Sequence, residues 1–209
     1  MLLALSHFAL LAQLAVNSTV PEPSAPSVVP FDTTISVARL AGVALSLEAG
    51  GRVRIVGGDT KAVRVQVTDK GKRCADCIVA VSQMGNAISV RTGRSRTPRE
   101  LANLEIQVDV PTQTNILLTS AGGPVEIAGV DGFVSGTTES GSLQLDHLSG
   151  AVKLETRRGD VTLRQSYVRG TVHTNDGRVL MEDVSGDVQG TTSKGRVVER
   201  RVEKGGSTQ

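Results

Sequence analysis

The chain has 209 residues, 39% of them hydrophobic but only 2% aromatic, with 23 glycines, no tryptophan and two cysteines. A formal net charge of +2 is too small to argue for a nucleic-acid partner, and sharply patterned apolar residues argue against disorder. So little aromatic core suits thin stacked coils better than an ordinary α/β enzyme.

Met1–Val16 (MLLALSHFALLAQLAV) carries no charged side chain and is mostly Leu and Ala. It is short for a bilayer span, which needs about 20 apolar residues. Residues 1–18 therefore read as a secretory signal peptide, with Val16 and Ser18 before the cleavage point, and a buried N-terminal helix is the alternative. Residues 19–31, rich in Pro and Ser, read as an extended spacer. The folded domain is expected over 32–200, followed by a polar tail at 201–209. No membrane anchor is expected in the mature chain.

From Thr33 the pattern becomes β. Val43–Leu47 and Val53–Val56 alternate on either side of Ala49-Gly50-Gly51, a turn signal. Val63–Val67 and Ile78–Val81 flank a polar loop, Thr68–Cys77. Gly85-Asn86 predicts a two-residue hairpin between Val79–Gln83 and Ile88–Val90. Thr92–Arg99 is a basic loop, Leu104–Val110 alternates again before Pro111, and Ile116–Leu118 leads into a repeat.

Glycine then recurs every nine residues at Gly123, Gly132, Gly141, Gly150 and Gly159, stumbles at Gly170, and resumes at Gly177, Gly186 and Gly195. Alternate nonads differ, so the unit is 18 residues; VSGTTESG at Val134 and VQGTTSKG at Val188 lie three units apart. Apolar residues fall two and four places after a glycine, as in Leu143 and Leu145, or Val161 and Leu163. Each nonad then holds one short strand with a single buried face, and glycines turn the corners. Stacking such coils predicts an all-β protein: a parallel β-solenoid with a strand-rich N-terminal part merging into it. Over Gln165–Asp176 the coil register is ambiguous, and Tyr167 is expected on a bulge there.

Three blocks resemble the bacterial putative-adhesin family of envelope proteins. They are Ile35–Gly58 (ISVARLAGVALSLEAGGRVRIVGG), Leu104–Val130 (LEIQVDVPTQTNILLTSAGGPVEIAGV) and the downstream G-D/S-V/L-x-L nonads. The resemblance covers about Phe31 to Glu199. It implies an exported β-solenoid, associated in some members with envelope stress or surface attachment, and it supplies no catalytic residue.

Candidate chemistry is sparse. Cys74-Ala75-Asp76-Cys77 lies in a polar loop without a helix N-terminus to lower a thiol pKa, and the mature chain has too few histidines nearby to complete a zinc site. In an exported chain a Cys74–Cys77 disulfide is the expectation. Calcium requires repeated carboxylate ligands, and the nonads lack them. Asp146, Arg164 and Glu182 are 18 apart and predict one outward column. Its two acids would stand about 9.6 Å apart across an intervening arginine, at a coil spacing of about 4.8 Å. That favours a salt-bridge ladder over a glycosidase pair. Glu155 and His173 would meet only if the ambiguous coil keeps register. Tyr167, Arg157, Arg158 and Arg164 are the candidate surface contacts.

Together these readings predict an exported, non-catalytic binding or scaffold module of the periplasm, cell surface or extracellular space. Its partner would be an envelope polymer or another surface protein, and it needs no cofactor, metal or nucleic acid. The alternatives are a carbohydrate-active β-helix and an accessory domain in envelope-stress sensing.

Overall fold

The computed structural model describes residues 27–28, 32–37, 41–48, 51–69, 72–73, 79–92 and 104–204. The signal-like segment, the spacer apart from Ser27–Val28, the Cys74–Cys77 motif, the basic loop after Thr92 and the tail after Lys204 lie outside the described residues. Among the described residues the chain is all β, without a helix.

The first strands are β1 (Ser27–Val28), β2 (Asp32–Ser36), β3 (Ala41–Leu47), β4 (Arg52–Gly58), β5 (Ala62–Asp69) and β6 (Lys72–Arg73). Then come β7 (Val79–Met84), β8 (Ala87–Thr92), β9 (Leu104–Pro111) and β10 (Thr114–Ser120). The glycine-rich half supplies β11 (Val125–Ala128), β12 (Asp131–Thr138), β13 (Leu143–Asp146) and β14 (Ser149–Arg158). It ends with β15 (Val161–Asp176), β16 (Val179–Gly186), β17 (Val188–Lys194) and β18 (Val197–Lys204).

All of these strands belong to one hydrogen-bonded network, and the pairings sort into two ladders. The first runs β1–β7–β8–β3–β10–β12–β14–β15–β17. The second runs β2–β5–β9–β4–β11–β13–β15–β16–β18. Strand β15 joins them, because Val161–Arg164 pairs with β13 while Tyr167–Asp176 pairs with β14. From β8 and β9 onward every pair is parallel, whereas β1–β7, β7–β8, β2–β5, β5–β6 and β5–β9 are antiparallel. The sheet is therefore mixed: parallel from β8 and β9 onward through the repeat, and antiparallel among the strand-rich N-terminal elements. One cause is visible at Gly85-Asn86: Met84 faces Ala87 across a two-residue turn, which folds β7 straight back on β8.

Stacking order departs from chain order. The coil β3–β4 sits in the middle of the array, with β8 and β9 on one side of it and β10 and β11 on the other. Strands β7 and β1 in one ladder, and β5 and β2 in the other, then close the far end. Alternation places Val43, Leu45 and Leu47 of β3, Val63, Val65 and Val67 of β5, and Leu143 and Leu145 of β13 in a single apolar core. Valine, leucine and isoleucine dominate because two ladders of short branched side chains fill the narrow gap between them. Toward the glycine corner the column Thr138, Thr156 and Thr174 is buried, with Thr138 donating to Thr156 at 2.8 Å and Thr174 to the Gly159 carbonyl at 2.9 Å.

The 18-residue register continues through Gln165–Asp176, which resolves the ambiguity there. Val152 faces Gly170, Leu154 faces Val172, and Tyr167 lies between Ser149 and Ser185 in regular ladder positions. Tyr167 is therefore not on a bulge. The stumble is an exchange: Gly150 and Val152 are followed one coil on by Val168 and Gly170, then by Gly186 and Val188. Val168 is 2% exposed, so its side chain restores the core volume that Gly170 gives up.

Along the repeat one corner of each coil turns on glycine; the other turns on Gly129, with φ of 68°, and in the following coils on left-handed residues of other types. His147, Gln165, Asp183 and Arg201 have φ of 51°, 45°, 54° and 49°, and each is 18 residues from the last. The residue after each of the first two, Leu148 and Ser166, points inward, so the spacing of buried positions widens from two to three and the chain swings into the other ladder. Asp and His tolerate this conformation better than most residues, Gln and Arg less so.

Candidate functional site

The expected acid–arginine column forms and extends one coil further. Asp146 stacks on Arg164, Arg164 on Glu182 and Glu182 on Arg200, all outward on the second ladder. Glu182 lies 3.3 Å from Arg164, 3.8 Å from Arg200 and 3.8 Å from Arg201. Asp146 has a different neighbour, His147 Nδ1 at 3.1 Å. The two acids thus have separate neighbours, His147 for Asp146 and arginines for Glu182, and do not share a reacting site.

At the left-handed corner Arg201 donates to both carboxylate oxygens of Asp183, its Nη2 at 2.7 Å. These donated hydrogen bonds hold the Asp183 carboxyl below its ordinary value, and the charge of Arg201 adds to them. The shift has a definite sign for stability. Its contribution is complete above the unfolded aspartate value, about 3.9, and is lost as pH falls through the lower folded value. Carboxyl NMR is expected to find Asp183 titrating below ordinary aspartate and to move it up in Arg201→Ala. An unchanged midpoint would disprove the pairing in solution. Arg64 holds Asp32 in the same bidentate way at the opposite end, again lowering the carboxyl.

At the glycine corner Asp160 accepts the Arg178 backbone N–H at 2.9 Å and its Nη2 at 3.4 Å. Arg196 stands one coil beyond Arg178 and makes no ion pair among the described residues. Between this corner and the acid–arginine column runs a groove of about 830 Å³, lined by Asp160, Arg178, Leu180, Arg196, Val198 and Arg200 among others. Leu180 and Val198 lie partly open to solvent between the arginines.

The sequence-derived contact residues do not converge. Arg157 and Arg158 are exposed at the glycine corner, Arg164 lies in the salt-bridge column, and Tyr167, 67% exposed, starts the other ladder's strand. Tyr167 stacks on Ser149, nine positions from Arg158 along β14, about 30 Å at the rise of an extended chain. His173 stacks on Glu155 because register is kept, and its Nδ1 lies 2.8 Å from Thr191 Oγ1 on an open face. Sequence reasoning missed Arg196 and Arg200. Their signal was the 18-residue step from Arg178 and Glu182, which carries past the last glycine of the beat.

A second groove, about 600 Å³, lies on the outer face of the first ladder. Gly42, Ala44, Ala87 and Ser89 floor it between Met84 and Leu117, which are 76% and 54% exposed. Among the described residues no group of His, Cys, Asp and Glu gathers as metal ligands would, and no helix is long and apolar enough to cross a membrane.

Fold and surface define an all-β protein whose outward side chains align in columns 18 residues apart. No family model matches the chain, and no curated protein matches it. Among solved structures it is similar to a putative cell adhesion protein of Clostridium sporogenes, at 8% identity and a TM-score of 0.37, over 82% of this chain and 99% of that one. It is also similar to a putative adhesin of Bacteroides fragilis, at 14% identity and a TM-score of 0.31, over 86% and 98%. A putative lipid binding protein of Parabacteroides distasonis matches at 8% identity and a TM-score of 0.25, over 87% and 98%. None of the three supplies a residue role or a ligand for this chain.

Proposed function

We propose that this chain is an exported cell-envelope or surface module of adhesin-like type, which binds or scaffolds through its flanks and catalyses nothing. The 18-residue ladders are read as a parallel β-solenoid closed by the antiparallel strands at its N-terminal end. Export rests on the signal-like character of 1–18. The observation that carries the binding role is the alignment of outward charged residues in successive coils, as in Asp146, Arg164, Glu182 and Arg200. Such a column presents a charged side chain every ~4.8 Å, alternating in sign, on a rigid support, and it suits a polymer or an extended partner better than a small substrate. Because the Glu182 carboxylate faces arginines on two neighbouring coils, hydrolysis by an acid pair is not part of this reading.

The test is co-sedimentation of purified Thr19–Gln209 with peptidoglycan, whole cells and anionic polysaccharides at low and high salt. Saturable binding that weakens with salt is the expected result, since the Debye length falls from about 10 Å at 0.1 M to about 3 Å at 1 M. Absence of binding to all three would overturn attachment to an envelope polymer.

A further inference from the structure

We infer that the groove between the glycine corner and the acid–arginine column, over the last two coils, is a binding site for an anionic polysaccharide. This inference rests on the envelope-binding reading and narrows it to one place and one ligand chemistry. Arg178 and Arg196 occupy the same position in successive coils, and Arg200 stands on the opposite side of the groove. Three guanidiniums thus face a volume of about 830 Å³. The carboxylates bordering it are already engaged. Asp160 accepts from Arg178, and Glu182 is shared among Arg164, Arg200 and Arg201 at 3.3 to 3.8 Å. Arg196 has no carboxylate partner among the described residues, so its charge and its fork of donors are available to an incoming oxyanion.

The floor narrows the ligand further. Leu180 and Val198 continue the outward column that holds Gln144 and Thr162, so two polar positions give way to two apolar ones where the arginines flank them. A sugar ring offers an apolar face together with a ring-borne carboxylate or phosphate, which matches an apolar strip edged by guanidiniums. A nucleic acid would ask for stacking aromatics, and none borders the groove. The coil spacing of about 4.8 Å sets Arg178 and Arg196 near the length of one hexose unit, so successive charged sugars can meet successive arginines.

The experiment measures equilibrium binding of the purified protein to three forms of one backbone: dextran carrying carboxymethyl groups, dextran carrying phosphate, and unmodified dextran. Binding to one or both charged forms and none to the neutral form is expected, and the preferred form identifies the anionic group. Arg196→Gln breaks no ion pair and should leave folding intact by circular dichroism. It is expected to weaken binding about tenfold, the scale of one charge-assisted hydrogen-bonding group. Adding Arg178→Gln and Arg200→Gln should abolish it, whereas Arg157→Gln with Arg158→Gln should leave it within about twofold. If charged dextran binds and the triple variant binds equally well, the site assignment is wrong while the envelope-binding reading stands. Equal affinity for neutral dextran would overturn the anionic chemistry. If neither charged dextran nor any envelope fraction binds the wild-type protein, both fall together.

Discussion

Gly141→Ala is expected to destabilise the protein by roughly 3–5 kcal/mol, a large share of a usual total of about 5–15 kcal/mol. Gly141 has φ of 114°, outside the regions an L-residue adopts cheaply, and its added Cβ would stand closer than 3.0 Å to the Gly123 carbonyl oxygen. The backbone conformation alone costs about 1–3 kcal/mol. Relief of the collision requires the two coils to separate, which strains the ladder bonds that stack them, each worth about 0.5–1.5 kcal/mol. The neighbour cannot give way easily, because it is backbone and because the same crowding recurs coil after coil at Gly159, Gly177 and Gly195. Gly42→Ala is the matched comparison: nothing lies within 4 Å of its added Cβ, so its effect should stay within about 1 kcal/mol. Urea denaturation of the two variants decides the matter, and similar midpoints would refute a sterically closed corner.

Leu163→Ala should cost about 2–5 kcal/mol, the range for removing a fully buried leucine. Leu163 is 0% exposed and stacks between Leu145 and Met181 within the second ladder. A parallel ladder resists collapse around the missing atoms, since the hydrogen bonds on either side fix the distance between coils. The cost should therefore fall in the upper half of that range. Leu117→Ala removes the same atoms from a side chain that is 54% exposed, and it should shift the midpoint by less than about 1 kcal/mol. A mild Leu163→Ala would mean that the coils close on one another more readily than their register implies.

Much of the charged surface was legible before the fold was seen. The column Asp146, Arg164, Glu182 follows from counting 18 residues, and it holds because the coil length is constant. The groove was not legible, for two reasons. Arg196 and Arg200 come after the last glycine of the beat, where the pattern gives way to VVERRVEK and reads as an ending, although β18 pairs with β16 as far as Lys204. The lining of the groove also spans three columns, two residues apart along β16 and β18, and it is complete only when those two coils stack. The same coil shows how the core is closed: Glu199 takes the position below Met181 and lies 3.8 Å from Lys204, so the apolar column ends on a charge pair.

By itself the sequence determined the all-β class, the buried positions of nearly every strand, the Gly85-Asn86 hairpin and the 18-residue step. These depend on local rules: side chains alternate along any strand, two-residue loops demand particular backbone angles, and close corners admit only glycine. Only the tertiary structure decided that the first coil, β3–β4, lies in the middle of the array and that antiparallel strands close one end. It also decided that His147, Gln165, Asp183 and Arg201 share a left-handed corner, and that Val168 and Gly170 exchange places without a shift of register. Which neighbour a strand chooses is a non-local matter. Any in-phase apolar strand satisfies the alternation equally well, so the choice falls to packing volume and chain connection, which the local pattern does not carry.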